Sequence, residues 1–218
     1  MVRTFSYLLT IASVVVVATT TLAQAQTVTE AEGPDRIRGQ ITTVDEASMI
    51  IQTPDGKEVR LELSDGVSVF SLSKASFTDV DFGSYVGAVS VRLAAFSPIV
   101  RDSMSFLHQG FELRIMDENL RGIAVGHTSW DLTSESVMSH GWVDDLEVRI
   151  LSIKYGPTEE EETDVDIPRD APILKMSIAD KSLIQPGAHA FAGAQKDGDD
   201  NYVAVFIMIG IDGVVPSL

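Results

Sequence analysis

The chain has 218 residues with 32 acidic and 16 basic side chains, which give a formal net charge of −16 at pH 7. Such a surface repels phosphate backbones and anionic lipid headgroups, so the charge argues against nucleic acid and anionic membranes as partners. Cysteine is absent, which excludes disulfides and thiolate chemistry. An apolar fraction of 44% suits a fold that depends on its hydrophobic core.

The N-terminus has the three parts of a secretory signal peptide. Arg3 supplies the positive charge, Leu8 to Ala18 form an apolar core, and Ala23 to Ala25 form a small-residue cleavage site. The apolar core is shorter than the roughly 20 residues that span a bilayer. We therefore predict a signal peptide over residues 1–25, no membrane span after its cleavage, and a periplasmic or secreted protein. The polar residues 26–36 predict a disordered tether.

Short β-strands are predicted from residue 37 onward. Two apolar runs, 49–53 and 57–63, flank the turn sequence Pro54-Asp55-Gly56. Two such runs separated by Asp-Gly predict a β-hairpin, because glycine adopts the positive φ that tight hairpin turns require. A further strand is predicted over residues 67–72, followed by a short connection over 74–82.

One stretch of the sequence occurs twice. Residues 63–88 return without a gap as residues 167–192, with apolar positions in register and with the turn glycine Gly83 opposite Gly187. A shared apolar pattern with a shared turn glycine predicts one small structural unit that is used twice.

The two copies define the predicted domains. The first is a small OB-like β-barrel over residues 37–122, in which residues 94–110 form a long hairpin loop. Residues 123–136 form an inter-domain loop, and residues 137–218 form a second OB-like β-barrel. Its last hairpin pairs residues 188–194 with the alternating apolar residues 202–211. The fold class is therefore all-β, with two tandem barrels and almost no helix.

Several segments resemble a family of small exported proteobacterial proteins with tandem OB-like modules of unknown function. They are IRGQITTVDE from Ile37, TPDGKEVRLELSDGVSV from Thr53, RIMDENLRG from Arg114, GHTSWDL from Gly126 and the closing IGIDGVVPSL. The resemblance implies the same barrel fold. Relatives carry an Arg-Pro pair where this chain has Thr128-Ser129. Some members are labelled as metal transporter permeases, but a permease needs several membrane spans and this chain has at most a leader.

The best candidate metal ligands are His127, Asp131 and His140, which lie in or just after the predicted inter-domain loop. Imidazoles beside a carboxylate suit zinc or copper. The alternative is structural: Trp130 fills the seam between the barrels, and His127 bonds to backbone. No third ligand has a defined spacing, so both interpretations stay open, and the sequence defines no cofactor.

A calcium site is a weaker hypothesis. Asp197, Asp199 and Asn201 match the first alternate positions of a calcium loop, but Tyr202 occupies the position that requires glycine. The segment is more typical of a hairpin turn. The acidic run 159–162 is typical of a solvated hairpin tip.

Catalytic motifs are missing from the sequence. There is no Gly-x-Ser-x-Gly elbow, no His-Glu-x-x-His and no phosphate-binding loop. Ser129 lies between His127 and Asp131, but side chains two apart on a strand point in parallel, which is no triad geometry. Asp144 and Asp145 cannot be told from surface acids.

We therefore predict a non-enzymatic binding or envelope-accessory protein whose partner is an unknown small ligand or an envelope protein. The first alternative is a periplasmic metal-binding protein that uses His127, His140 and nearby carboxylates for zinc, copper or calcium. A hydrolase is a distant alternative. The oligomeric state is not readable from the sequence.

Overall fold

Alternating apolar residues form thirteen β-strands, in a computed structural model that describes residues 33–93, 107–158, 161–197 and 201–216. The predicted signal peptide and residues 26–32 of the predicted tether lie outside the described residues. The first six strands are β1 (Asp35–Val44), β2 (Ser48–Gln52), β3 (Glu58–Glu62), β4 (Ser68–Lys74), β5 (Tyr85–Arg92) and β6 (Leu107–Met116). The others are β7 (Gly126–Ser129), β8 (Ser136–Glu147), β9 (Ile150–Lys154), β10 (Glu162–Asp166), β11 (Ile173–Ile178), β12 (His189–Asp197) and β13 (Asn201–Gly210).

The structure confirms the all-β fold class. The helical elements that lie wholly within the described residues are short 3₁₀ turns at Phe77–Asp79, Glu118–Leu120 and Lys181–Leu183. Among the described residues, no helix has the length and apolar character of a membrane span.

The structure contains the predicted hairpin and, in both copies of the repeated stretch, the predicted turns. β2 and β3 form the expected antiparallel hairpin around Gly56, whose φ is +84°. The two copies of the connection each contain a 3₁₀ turn, capped by Ser76 in one copy and by Asp180 in the other. Gly83 and Gly187 both have a positive φ, at +79° and +91°, which explains why glycine occupies both positions.

The strands pair into two closed rings. Ring 1 follows the order β1-β2-β3-β13-β12 and returns to β1. Ring 2 follows the order β8-β9-β10-β6-β5 and returns to β8. In both rings the contact of the third and fourth strands is parallel and the other four are antiparallel. The rings also share bulge positions, between Gly193 and Ala194 and between Val89 and Ser90.

Each ring combines strands from both halves of the chain. The predicted units, residues 37–122 and 137–218, would each close on themselves. Instead, β5 and β6 of the first half close ring 2, and β12 and β13 of the second half close ring 1. The chain changes ring because β4 and β11 pair with each other at the centre and carry it across the molecule. The classification of the rings as OB-like remains a prediction.

Three apolar cores support this arrangement. One fills ring 1 and includes Ile41, Leu61 and Ile207, and another fills ring 2 and includes Leu113 and Ile153. The third lies between them around β4 and β11. It contains Leu72, Tyr85, Met116, Met176, Phe191 and Met208, with Trp130 and Trp142 packed against it.

Two loop predictions need correction. The predicted loop over residues 94–110 is shorter, because Leu107–Gly110 already belong to β6, where apolar Leu107 is buried. Residues 94–106 lie outside the described residues. The predicted inter-domain loop 123–136 contains strand β7, which pairs antiparallel with β8. β1 likewise begins at Asp35, inside the segment predicted as a tether.

Candidate functional site

Ring 1 carries an open groove of about 490 Å³ at one end. It lies between the first residues of β1 and the hairpin that joins β2 to β3. Its lining residues are Asp35, Arg36, Ile37, Arg38, Thr53, Pro54, Asp55, Lys57, Val59 and Tyr202. A volume of this size is within the range of ligand-binding clefts in proteins.

The groove joins an apolar floor to a charged rim. Ile37 and Val59 are buried and belong to the core of ring 1, and Tyr202 packs against the same core. Arg36 and Lys57 contribute positive charge to the rim, and Asp55 contributes negative charge. An apolar floor with a few polar groups around it is the usual composition of a site that binds and orients a ligand.

The equivalent place in ring 2 is occupied by strand β7. There β7 pairs with residues Val137–His140 of β8, and β9 pairs with β8 only from Trp142 onward. In ring 1, β2 pairs with β1 only from Gln40 onward. The groove is therefore the position in ring 1 that corresponds to the position of β7 in ring 2.

Inside ring 2, β7 brings His127 against a cluster of polar and aromatic side chains. The Nδ1 atom of His127 is 2.9 Å from Oγ of Ser139, and its ring stacks on Tyr155 with centroids 5.2 Å apart. The ring of His108 meets His127 edge-on at 5.7 Å, and Nδ1 of His108 is 3.1 Å from Oγ of Ser90. The fold thus gathers two histidines that lie far apart in sequence.

Both imidazoles are held neutral at pH 7. Burial, then the neighbouring His127, then the charge of Arg92 lower the pKa of His108 to about 4. Burial and Arg92 also lower the pKa of His127. Ser90 and Ser139 are fully buried, so neither hydroxyl is accessible as a nucleophile.

Equivalent interior positions carry different side chains in the two rings. Ring 2 has Ser90, Ser139 and His108 where ring 1 has Ala194, Ile37 and Tyr202, as their strand registers show. Since ring 1 closes without the buried serines, the shared fold does not require them. The copies have therefore diverged at these two ends.

The structure does not bring the three predicted metal ligands together. Asp131 is held by Arg38 through two hydrogen bonds of 2.7 Å and lies 3.8 Å from Arg36. Partial burial raises the pKa of Asp131, but the hydrogen bonds of Arg38 and the charges of both arginines outweigh it and lower the pKa overall. A carboxylate neutralised by two guanidinium groups is a poor cation ligand.

His140 points away from His127. His127 bonds to Ser139, and successive side chains on a strand point to opposite faces, so His140 faces the central core. Its ring packs against Gly87, where a Cβ would lie 2.6 Å from Cδ2 of His140. Burial and the charge of Arg114 lower the pKa of His140 to about 4. Within the described ranges, no group of three or more acidic or histidine side chains forms a metal site.

Trp130 joins the two rings. It follows directly after the last residue of β7, and its indole stacks on Phe191 of ring 1 with ring centroids 5.9 Å apart and an interplanar angle of 3°. The guanidinium of Arg36 covers the indole at 4.0 Å. The structural interpretation of the sequence predicted this contact of Trp130 between the barrels. It also predicted that His127 bonds to backbone, whereas the structure shows His127 bonded to the side chain of Ser139.

The other predicted positions show no convergent site. Ser129 is exposed, and its carbonyl accepts a hydrogen bond from Arg36. Asp145 bonds to the backbone of Leu146. The candidate calcium loop is only partly described, because residues 198–200 lie outside the described residues. The same holds for residues 159 and 160 of the acidic run.

Sequence reasoning missed the groove. In the sequence, Tyr202 stands at the glycine position of the candidate calcium loop, and Lys57 and Val59 belong to a predicted strand. No short sequence pattern would have identified the groove, because it depends on which strand lies beside residues 35–38 of β1.

Comparisons with known proteins add no identification. No family model, no curated protein and no solved structure matches the chain. The family resemblance therefore stays a prediction.

Proposed function

We propose that this protein is a non-enzymatic binding protein of the bacterial envelope, and that the groove of ring 1 is its binding site. The observation that supports the proposal is the groove itself, with Ile37 and Val59 in its floor and Arg36 and Lys57 on its rim. An apolar floor supplies binding free energy, and the rim charges orient the ligand.

The asymmetry of the two rings supports the choice of site. The corresponding position in ring 2 is filled by β7, so ring 1 alone keeps it open among the described residues. Among the described residues, one ring fills this position and the other leaves it open, and this difference supports a binding role rather than a requirement of the fold.

The proposal is tested by nuclear magnetic resonance of the uniformly ¹⁵N-labelled mature chain. A library of small polar molecules and short peptides is added, and the backbone amide shifts are followed. We expect saturable shifts at Ile37, Lys57 and Val59. The equivalent ring 2 residues Ser139 and Thr163 serve as internal controls and should not shift. Absence of saturable shifts in the groove with every library member would overturn the proposal.

A metal-binding protein is the second candidate, and the proximity of His108 and His127 favours it. Both imidazoles are neutral, which is the form that binds zinc or copper. Their contacts with Ser90 and Ser139 orient the rings as outer-shell partners do in metal sites. The charge of Arg92 opposes a bound cation, so weak binding is expected.

Calorimetric titration of the mature chain with zinc and copper tests the second candidate. The matched control is His127→Gln, which keeps a polar side chain of similar length on β7. Heat in the parent protein that is lost in the variant supports the metal site. No heat with either metal removes it.

A further inference from the structure

The groove of ring 1 borders a strand edge that carries no described partner. On one side, residues Asp35–Gln40 of β1 pair with β12. On the other side, β2 pairs with β1 only from Gln40 onward, and the groove lies beside residues 35–38. An open strand edge is a template for the backbone of an added strand.

Ring 2 shows what occupies such an edge. There Gly126–Ser129 pair antiparallel with Val137–His140, and the register places Gly126 opposite His140 and Ser129 opposite Val137. Residues 137–140 of β8 correspond to residues 35–38 of β1, because Trp142 pairs with Lys154 as Gln40 pairs with Gln52. β7 is therefore an internal example of a strand added at this position.

From this correspondence we propose that ring 1 binds an extended segment of a partner protein as an added β-strand, antiparallel to residues 35–38 of β1. The inference rests on the proposed binding function and names its ligand class. The first to fourth residues of the incoming strand lie opposite Arg38, Ile37, Arg36 and Asp35, as the four residues of β7 lie opposite His140, Ser139, Met138 and Val137.

The second residue of the incoming strand is apolar or aromatic. Its counterpart in ring 2 is His127, which enters the ring opposite Ser139 and beside Tyr155 and His108. In ring 1 the same space is bounded by Ile37, Thr53 and Tyr202, with Val59 in the floor. These walls lack the serine and histidine partners of ring 2, so a polar side chain there would lose its hydrogen bonds with water without replacement.

The third residue is acidic. It lies opposite Arg36, whose guanidinium donates to the carbonyl of Ser129 and covers the indole of Trp130. Its charge is only partly compensated, because its contact with Asp131 is 3.8 Å, against 2.7 Å between Arg38 and Asp131. Lys57 adds positive charge to the same rim. Opposite charges on facing strand positions stabilise the pair, and like charges destabilise it. The fourth residue faces Asp35 and is therefore not acidic.

The test uses the N-acetylated, C-amidated hexapeptide Ser-Thr-Tyr-Glu-Thr-Ser, whose four central residues are the predicted strand. Binding to the mature chain is followed by amide shifts and by hydrogen exchange at residues 35–38. We expect saturable shifts in the groove and slower exchange at the alternate amides of residues 35–38 that face away from β12. Two further peptides carry an N-methyl group on the backbone nitrogen of Tyr or of Glu. Only one of these nitrogens faces β1, so one peptide should bind and the other should not.

Side-chain specificity is tested with matched peptides and variants. Replacing the peptide Tyr with Ser should weaken binding about tenfold, because the floor loses its apolar contact. Replacing the peptide Glu with Lys should weaken it about two- to fivefold. In the protein, Tyr202→Ala should weaken binding of the parent peptide, and Phe82→Ala, which truncates an exposed aromatic residue of the other ring's turn, should not.

The outcomes separate the inference from the proposed function. If small molecules shift the groove amides and the peptide does not, strand addition is wrong and the binding function stands. If neither shifts them, both are wrong. Peptide shifts without slower exchange at residues 35–38, or equal binding by both N-methyl peptides, also contradict strand addition. Groove shifts that depend on protein concentration alone would identify a second copy of the chain as the occupant and would overturn the proposal of a different partner protein.

Discussion

Leu72 and Met176 face each other across the antiparallel pair of β4 and β11, and they occupy the same position in the two copies of the repeated stretch. Phe70 pairs with Ile178, which is the equivalent of Lys74 in the other copy. Lys74 pairs with Leu174, which is the equivalent of Phe70, so the pairing is symmetric about Leu72 and Met176. The described strands of the two halves are therefore related by an approximate two-fold axis that passes through this pair. Differences between symmetry-related positions then show where the halves have diverged, and the first prediction below uses such a difference.

The buried ion pair of Glu112 and Arg114 has an apolar counterpart in the other half. Oε1 of Glu112 accepts from Nε of Arg114 at 2.6 Å, and both side chains are at most 3% exposed. The equivalent residues are Phe206 and Met208. Arg114→Met alone leaves a buried carboxylate without this partner and should lower the free energy of unfolding by about 3–5 kcal/mol.

The double variant Glu112→Phe, Arg114→Met should recover most of that loss, because it installs the pair that the other half already uses. Urea denaturation of the two single variants and the double variant measures the coupling. Additive losses in the double variant would contradict the prediction.

Trp130 and Asp131 hold the segment after β7 on ring 1. Trp130→Ala removes the stacking on Phe191 and the contact with Arg36, and it should lower the free energy of unfolding by about 2 kcal/mol. Trp130→Phe keeps an aromatic ring and should lose less. Asp131→Asn weakens the bond to Arg38 at a partly exposed site and should cost about 1 kcal/mol or less.

Thermal and urea denaturation measure these three variants, with far-UV circular dichroism as the control for fold. A loss with Trp130→Phe as large as with Trp130→Ala would show that stacking is not the stabilising contact.

The free energy of unfolding should decrease as the pH is lowered, over a pH range set by two histidines. The pKa values of His108 and His140 are each lowered from 6.5 to about 4, chiefly by burial. The unfolded chain therefore binds more protons than the folded chain between these values. Stabilisation from the neutral imidazoles is complete above pH 6.5 and is lost as the pH falls toward about 4.

Each group contributes a slope of up to about 1.4 kcal/mol per pH unit within that window. The measurement is the free energy of unfolding at pH 7, 6, 5 and 4. His140→Gln should flatten the curve, because glutamine does not titrate. An unchanged slope in that variant and in His108→Gln would contradict the assignment.

Val148 stores strain in the turn between β8 and β9. It has a φ of +56° and is 86% exposed, so a β-branched residue adopts a left-handed conformation without compensating burial. Val148→Asn should stabilise the protein by about 1 kcal/mol, which raises Tm by about 2–4 °C at this chain length. Val148→Thr keeps the branched Cβ and should give no gain. Equal Tm values for both variants would show that strain is not the cause.

The sequence alone determined the local structure of this protein. Alternating apolar residues predicted the strands, Asp55-Gly56 predicted the hairpin of β2 and β3, and the repeated stretch predicted the paired turns at Gly83 and Gly187. These features depend on neighbouring residues, on side-chain period and on the φ that glycine permits, so they are readable from a short window.

Only the tertiary structure decided which strands close each ring and which side chains meet. The sequence pattern does not show that β12 and β13 close ring 1 while β5 and β6 close ring 2. Both strand pairs carry similar alternating apolar residues, so each would offer an apolar face to either ring. His108 meets His127 because β7 lies along β8, and His140 turns away because it is the next residue after Ser139. Such contacts depend on long-range register, where a shift of one residue reverses every side chain.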